Sequence, residues 1–423
     1  MDFFEELRWR GMLKDLTPGV EEAFREGKMI GYIGFDPTAP SMTIGNYVQI
    51  MLLTLLQKSG HQPIVLMGGA TGRIGDPSGK DKERQLKSFE ELDSNLQHQV
   101  KQMEKFLNFT DGDNKAILAN NLDFYKEMNV LDFLRDVGKT LTVNYMMSKD
   151  SVKNRLETGI SFTEFSYQLL QAYDFQYLFK EYGCRLQMGG SDQWGNITSG
   201  TEFIRRNLSE KAYAVTTPLL TKADGTKFGK SESGNIWLDP EKTTPYQFYQ
   251  FWINADDRDS ATFMRYFTLK SKAEVEALEK EYADNPRGLK EILAEELTRR
   301  VHSDEDYEAV LKVSELLFRK VDLDTIKSLD TKTIAAIARE IPVYQIPKKV
   351  IADQLGIIDL LTEQTDILSS KSDAKRTIKN NAISINKVKV TNENLTVSTA
   401  DLLHDRYMFL DNGKKNKMII EVV

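Results

Sequence analysis

Over the first 240 residues, short apolar runs alternate with helix-length amphipathic stretches. Gly31 to Phe35 and Pro63 to Met67 read as buried strands, and Tyr47 to Leu56 between them reads as a helix rich in Leu and Met. Glu83 to Phe106 continues as a long polar helix, Lys115 to Ala119 as a strand, and Val130 to Val137 as the start of another helix. Strands separated by helix-length segments predict βαβ units in a parallel sheet, with ligands held beyond the C-terminal ends of the strands. From about Lys242 to Arg319 the pattern is helical alone, with helices at Pro245 to Ile253, Ser260 to Phe267, Lys272 to Tyr282 and Pro286 to Val301. A weakly patterned stretch around Val321 to Ile346, punctuated by Pro342 and Pro347, leads into a small α+β tail. The expected fold class is therefore α/β. A Rossmann-like parallel-sheet domain fills 1–240, an all-α domain 241–330, a linker 331–347 and a small α+β domain 348–423.

Composition narrows the chemistry. With 26 Gly and 11 Pro in 423 residues, the chain has no disordered or collagen-like bias. Its one cysteine, Cys184, excludes an internal disulfide. With His61, His98, His302 and His404 it offers too few soft ligands for a zinc cluster, so no metal site is expected. Catalysis should not rest on thiol, imidazole or structural zinc. The 56 basic and 63 acidic residues give a net charge of -7, which argues against a surface wholly devoted to nucleic acid or membrane. A local basic face remains open, and the tail from Gln345 onward carries 12 basic against 10 acidic residues. The opening Met-Asp-Phe-Phe-Glu-Glu-Leu lacks a signal peptide's basic start and apolar core, and no run approaches the roughly 18 apolar residues of a membrane span. The expectation is a soluble, cytoplasmic protein.

Five clusters of glycine and polar residues carry the candidate chemistry. Tyr32-Ile33-Gly34-Phe35-Asp36-Pro37-Thr38 leaves the first strand, and Thr43-Ile44-Gly45-Asn46 enters the following helix. A helix N-terminus favours a phosphate and Gly45 permits close approach of a flat base, although a plain turn with Thr43 as N-cap accounts for the same residues. Gly68 to Lys80 follows the second strand. It fails the P-loop spacing and contains no G-x-G-x-x-G. It leaves Asp76 for an ammonium group, and Lys80, Lys82 and Arg84 either as phosphate clamps or as surface charges. Within Ser161 to Phe175, Tyr167, Gln171 and Asp174 fall inside roughly 60° on a helical wheel, a phenol, an amide and a carboxylate suited to an amino-acid substrate; a solvent-facing stripe would favour Lys and Glu. Gln187-Met188-Gly189-Gly190-Ser191-Asp192-Gln193-Trp194-Gly195-Asn196 ends a strand in a glycine turn, with Asp192 as acceptor for a sugar hydroxyl. Finally, Lys227 and Lys230 in Lys222 to Ser231 can meet a polyphosphate from a mobile loop, a solvated hairpin being the alternative.

In this order the segments resemble the bacterial-type tyrosyl-tRNA synthetases, a class I aminoacyl-tRNA synthetase family, over nearly the whole chain. The most specific matches are Gly34-Phe35-Asp36-Pro37-Thr38, Gly68-Gly69-Ala70-Thr71-Gly72, Gly75-Asp76-Pro77-Ser78-Gly79-Lys80, Gly189 to Asn196 and Lys227-Phe228-Gly229-Lys230-Ser231. The resemblance implies an ATP-dependent ligase that forms tyrosyl-adenylate and pyrophosphate, then transfers tyrosine to the 3'-terminal ribose of tRNA(Tyr). It implies ATP as a substrate with Mg2+, a homodimer built on the segment around Phe162, and 348–423 as a ribosomal-protein-type RNA-binding domain. Tyr32 and Asp174 would meet the substrate hydroxyl, and Asp76, Tyr167 and Gln171 its ammonium. Asp36, Gln187 and Gln193 would line the pocket and orient tyrosine and ribose. Gly34, Gly45, Gly190 and Asp192 would hold adenosine. Thr38, Lys80, Arg84, Lys227 and Lys230 would surround the phosphates and stabilise the charge that builds there.

One departure stands out. The family's His-Ile-Gly-His signature is here Thr43-Ile44-Gly45-Asn46. Asn46 keeps an amide donor for ATP; Thr43 keeps a hydroxyl, shorter than imidazole and never charged. The expectation is that both still serve catalysis. A non-catalytic RNA-binding or tyrosine-sensing paralogue is the alternative.

Overall fold

The computed structural model describes residues 2–78, 87–153, 155, 159–231, 234–318, 323–352, 354–413 and 416–423. The chain forms two compact units. The first comprises residues 1–243 and 250–301, the second 244–249 and 302–423.

The first unit is built on a sheet of β1 (Asp15–Leu16), β2 (Ile30–Phe35), β3 (Gln62–Met67), β4 (Ile117–Asn120), β5 (Leu186–Gly190) and β6 (Tyr213–Thr217), in the order β1-β6-β5-β2-β3-β4. All neighbours are parallel except the β1–β6 edge pair. β2 pairs with β3 along its whole length, from Ile30↔Gln62 to Phe35↔Met67. Its pairing with β5 covers only Gly31↔Leu186 and Tyr32↔Gln187. Beyond that point the C-terminal ends of β2 and β5 part, where the strand order reverses, and a crevice opens.

The elements flanking the crevice follow from local sequence. Ile44–Lys58 is a helix because Thr43 caps it and ten of its side chains, mostly Leu, Ile and Met, are buried. The long helix Phe162–Tyr182 is capped by Ser161, whose Oγ accepts from the Glu164 amide, and Gly183 in the left-handed region ends it. A buried Arg155–Glu164 ion pair at 2.8 Å ties its first turn to the preceding segment. Tyr32, Ile64, Leu66, Phe175, Leu178 and Ile204 share one core cluster, so this helix is packed into the same core as the sheet.

The segment expected to form one helical domain over 241–330 divides. Helices Ser260–Phe267, Lys272–Glu281 and Pro286–Val301 belong to the first unit, where the buried Arg10 guanidinium donates to the carbonyls of Arg265, Thr268 and Lys270. Asp304–Phe318 belongs to the second. The segment expected as a linker over 331–347 holds the helix Thr331–Ala338, capped by Asp330, and the strand Val343–Ile346. That strand runs parallel to Asn416–Val422 at the end of a five-stranded sheet completed by Tyr407–Asn412, Ile383–Ile385 and Val388–Lys389. Among the described residues, no helix is long and apolar enough to cross a membrane.

Candidate active site

The crevice holds a cavity of about 240 Å³. From β2 and the turn after it come Tyr32, Gly34, Asp36 and Thr38; from β5 and its glycine turn, Gln187, Gly190 and Gln193. The long helix contributes Tyr167, Gln171 and Asp174, the loop after β3 contributes Asp76, and the Ile44–Lys58 helix contributes Asn46. Twelve side chains or glycines expected at the site therefore meet in one cavity.

Thr43, Gly45, Asp192, Lys227 and Lys230 are not in the cavity wall, and Lys80 and Arg84 lie outside the described residues. Thr43 is occupied as the helix cap: its backbone N–H and its hydroxyl both donate to Asn46 Oδ1, at 2.9 and 2.8 Å, and its Oγ1 accepts from the Asn46 amide at 3.4 Å. The carboxamide oxygen of Asn46 is thereby turned onto the cap, leaving the NH2 as the group that can donate to a ligand.

Lys227 and Lys230 are exposed, one on either side of Phe228 and Gly229, which are buried. Phe228 sits among Phe251, Trp252, Phe263 and Phe267, with ring centroids 5.1 to 6.1 Å away. Gly229 has φ +92°, and a Cβ there would lie 3.2 Å from the Gly45 amide nitrogen. The lysine loop is thus anchored by its middle directly against the N-terminus of the Ile44–Lys58 helix, a position that only glycine fits without strain.

Inside the cavity a chain of hydrogen bonds joins the polar groups. Tyr167 OH donates to Asp36 Oδ2 at 2.9 Å and Thr71 Oγ1 donates to Asp36 Oδ1 at 2.7 Å. The Asn121 NH2 group donates to Thr71 Oγ1 and to Asp174 Oδ2, each at 2.9 Å, and Tyr125 OH donates to Asp174 Oδ1 at 2.7 Å. Asp76 accepts from Gln193 Nε2 at 2.7 Å and from the Ser78 amide at 2.9 Å. A Cβ on Gly68 would lie 2.0 Å from Asp36 Oδ1, so Asp36 can occupy its place only because residue 68 has no side chain.

Thr71, Asn121 and Tyr125 carry no role in the sequence reading. Asn121 directly follows a parallel strand, where ligand-facing groups collect, and that position was the available signal. Tyr125 offers no such signal.

Three carboxylates, Asp36, Asp76 and Asp174, and no Lys or Arg line the cavity among the described residues, so it attracts a cation. Burial draws the Asp174 carboxyl up to about 7; the bonds from Asn121 and Tyr125 oppose this and the Asp36 charge adds to it. Burial, then the charge of Asp174, pushes the Tyr32 phenol well up, and burial with Asp36 does the same to Tyr167. Both phenols are held protonated. Among the described residues, Tyr32 OH and Gln187 Oε1 are buried without a hydrogen-bond partner, a costly state that a polar ligand would relieve. Among the described residues, no group of three or more His, Cys, Asp or Glu is arranged to hold a metal ion.

Residues 25–319 match the family model described as tRNA synthetases class I (W and Y), and residues 333–420 match that of the tyrosine–tRNA ligase SYY-like C-terminal domain. The chain is 52% identical over 423 residues to a tyrosine–tRNA ligase of Cytophaga hutchinsonii, with 99% of each chain covered. It is 50% identical over 429 residues to one of Porphyromonas gingivalis, with 100% of each covered. Among solved structures, a C-terminally truncated mitochondrial tyrosyl-tRNA synthetase of Aspergillus nidulans aligns with a TM-score of 0.68 at 31% identity, over 75% of this chain and 94% of that one. A tyrosyl-tRNA synthetase of Archaeoglobus fulgidus, at 20% identity and a TM-score of 0.54 over 74% of this chain and 100% of that one, shares the fold. Half-identical along its full length to tyrosine–tRNA ligases, and matched by both the catalytic and the C-terminal family models, the chain belongs to the tyrosyl-tRNA synthetases of class I.

Proposed function

We propose that the cavity binds L-tyrosine, with its ammonium among Asp76, Tyr167 and Gln171 and its phenol between Tyr32 and Asp174. The observation that carries this reading is that, among the described residues, a cavity lined by carboxylates and by no Lys or Arg is paired with a buried Tyr32 hydroxyl without a hydrogen-bond partner. Phenylalanine would leave that hydroxyl unpaired and offer nothing to the acceptor positions of Asp174 that Asn121 and Tyr125 do not fill. Tryptophan has no hydroxyl to engage both.

The substrate carboxylate then attacks the α-phosphorus of ATP. A new P–O bond forms, the bond to the bridging oxygen breaks, and pyrophosphate leaves with the electron pair. The ribose hydroxyl of tRNA(Tyr) next attacks the acyl carbon and AMP departs. No enzyme nucleophile is required, and burial pushes the Cys184 thiol up, out of reach of that role. Thr38 and the Asn46 NH2 group, both from the cavity lining, meet the phosphates together with Lys227 and Lys230 on the loop anchored by Phe228. Asp192 and Gly190 take the adenosine ribose. Lys80 and Arg84 complete the phosphate set. Their work is to place the reacting atoms and to stabilise charge on the α-phosphate and the leaving group. Magnesium enters with ATP as part of the substrate. The 348–423 segment grips tRNA, the setting is the cytoplasm, and two copies associate through the exposed apolar face that includes Phe162.

Amino-acid-dependent ATP–pyrophosphate exchange tests this. Exchange with tyrosine, and none with phenylalanine or tryptophan, is expected. Tyrosine binding without exchange would establish the non-catalytic alternative.

A further inference from the structure

We propose that Tyr125 is a positioning residue for the amino-acid site: its hydroxyl fixes the orientation of the Asp174 carboxylate, and with it the discrimination between a phenol and a bare ring. This rests on the reading of the cavity as a tyrosine site.

Tyr125 closes the short turn Asn121–Tyr125 that follows β4 and is not itself in the cavity wall. Its ring lies 5.5 Å from Tyr173 and 6.4 Å from Phe133, and its hydroxyl reaches the helix behind the pocket. There it stands 2.7 Å from Asp174 Oδ1 and 3.0 Å from the carbonyl of Leu170, one helical turn earlier. The single proton goes to the charged acceptor, the closer and stronger of the two.

An ionised carboxylate has about four acceptor positions, two on each oxygen. Asn121, from the cavity wall, takes one on Oδ2 and Tyr125, from outside it, takes one on Oδ1, so the carboxyl plane is held at both oxygens. What remains on the cavity side is a fixed lone pair for the substrate hydroxyl. Without the Tyr125 hydroxyl the carboxylate is held at one oxygen only and can turn about its Cβ–Cγ bond. Its buried negative charge also loses a donor that stabilises it.

The groups facing Asp174 are Tyr32 and Asp36 from β2 and its end, Tyr125 from the turn, and Tyr167 and Tyr173 from its own helix. None is a cation. The Tyr125 and Asn121 donors are therefore what keeps Asp174 available as an acceptor near neutrality.

Tyr125→Phe removes the hydroxyl and keeps the ring packing. In ATP–pyrophosphate exchange we expect KM for tyrosine to rise roughly ten- to a hundredfold with kcat changed much less, the size of effect one hydrogen bond to a charged group carries. The preference for tyrosine over phenylalanine should fall in parallel. The pH below which KM climbs should move upward, because a favourable donor to the ionised form is gone. Tyr173→Phe, which removes a neighbouring phenol, should leave all three unchanged. A Tyr125→Phe protein with wild-type KM, selectivity and pH profile would overturn the proposal while the wild-type exchange activity left the tyrosine-site reading standing. Absence of exchange and of tyrosine binding in the wild type would instead overturn that reading and the proposal with it.

Discussion

Asp174 is drawn from its ordinary value of 3.8 up to about 7, with burial as the main cause. Between those two values the folded chain holds a proton that the unfolded chain has released. This group's contribution to stability is therefore complete below about pH 4 and is lost as the pH rises through 7. A phenol that donates to the carboxylate reverses the balance, since it binds only the ionised form. KM for tyrosine should accordingly fall by roughly tenfold between pH 6 and pH 8, measured by exchange kinetics, and Asp174→Asn should abolish the slope. A flat wild-type profile would show that Asp174 does not titrate in this range. The polar stripe of Tyr167, Gln171 and Asp174 was legible from helical spacing alone, because these three polar groups interrupt an apolar helix at matching angles. Tyr125 was not. It lies some fifty residues before Asp174, in a turn without periodicity, and only the packing of that turn against the long helix brings the two together.

At the scale of elements, the Ile44–Lys58 helix shows how a signature can change its residues and keep its geometry. Thr43 and Asn46 satisfy one another in a reciprocal cap, so the hydroxyl that stands at the first histidine position acts on Asn46 before it can act on ATP. Thr43→Ala should lower stability by about 0.5–2 kcal/mol, as loss of an N-cap does, and should slow tyrosine activation more than it weakens ATP binding, because the Asn46 amide is set free to turn. Thr43→Ser should restore both. Thermal melts and single-turnover activation measure the two effects, and an unchanged activation rate in Thr43→Ala would remove Thr43 from the reaction. The sequence offered both readings of this segment, helix cap and phosphate site, since Thr at an N-terminus serves either. Its strands β2 and β3 were visible as apolar runs. The early end of β2–β5 pairing, which opens the cavity, was not, because register between strands more than 150 residues apart leaves no local mark.

At the scale of the molecule, large apolar side chains left exposed concentrate between Val130 and Phe162: Leu131 is 72% and Phe162 74% accessible, and Val130, Leu134 and Val143 are also exposed. Such a concentration is characteristic of an association surface. We expect light scattering to report twice the mass of the 48.3 kDa chain, and Phe162→Asp with Leu131→Asp to shift it to the monomer; a concentration-independent monomer in the wild type would contradict the assembly. The organisation of the second unit was the least legible part of the chain. Val343–Ile346 is four residues long and finds its partner in Asn416–Val422, so its pattern was too short to separate from a linker. The chain also leaves the first unit after Thr243, contributes residues 244–249 to the second, returns for 250–301 and leaves again. Within that brief visit Phe248 meets the His302 ring at 4.8 Å and Tyr249 meets Tyr307 at 6.0 Å. For proteolysis and for truncation this has a direct meaning. A single cut after Val301 does not respect the division into two units, because it parts Phe248 from His302 and Tyr249 from Tyr307 while residues 244–249 stay covalently joined to the first unit.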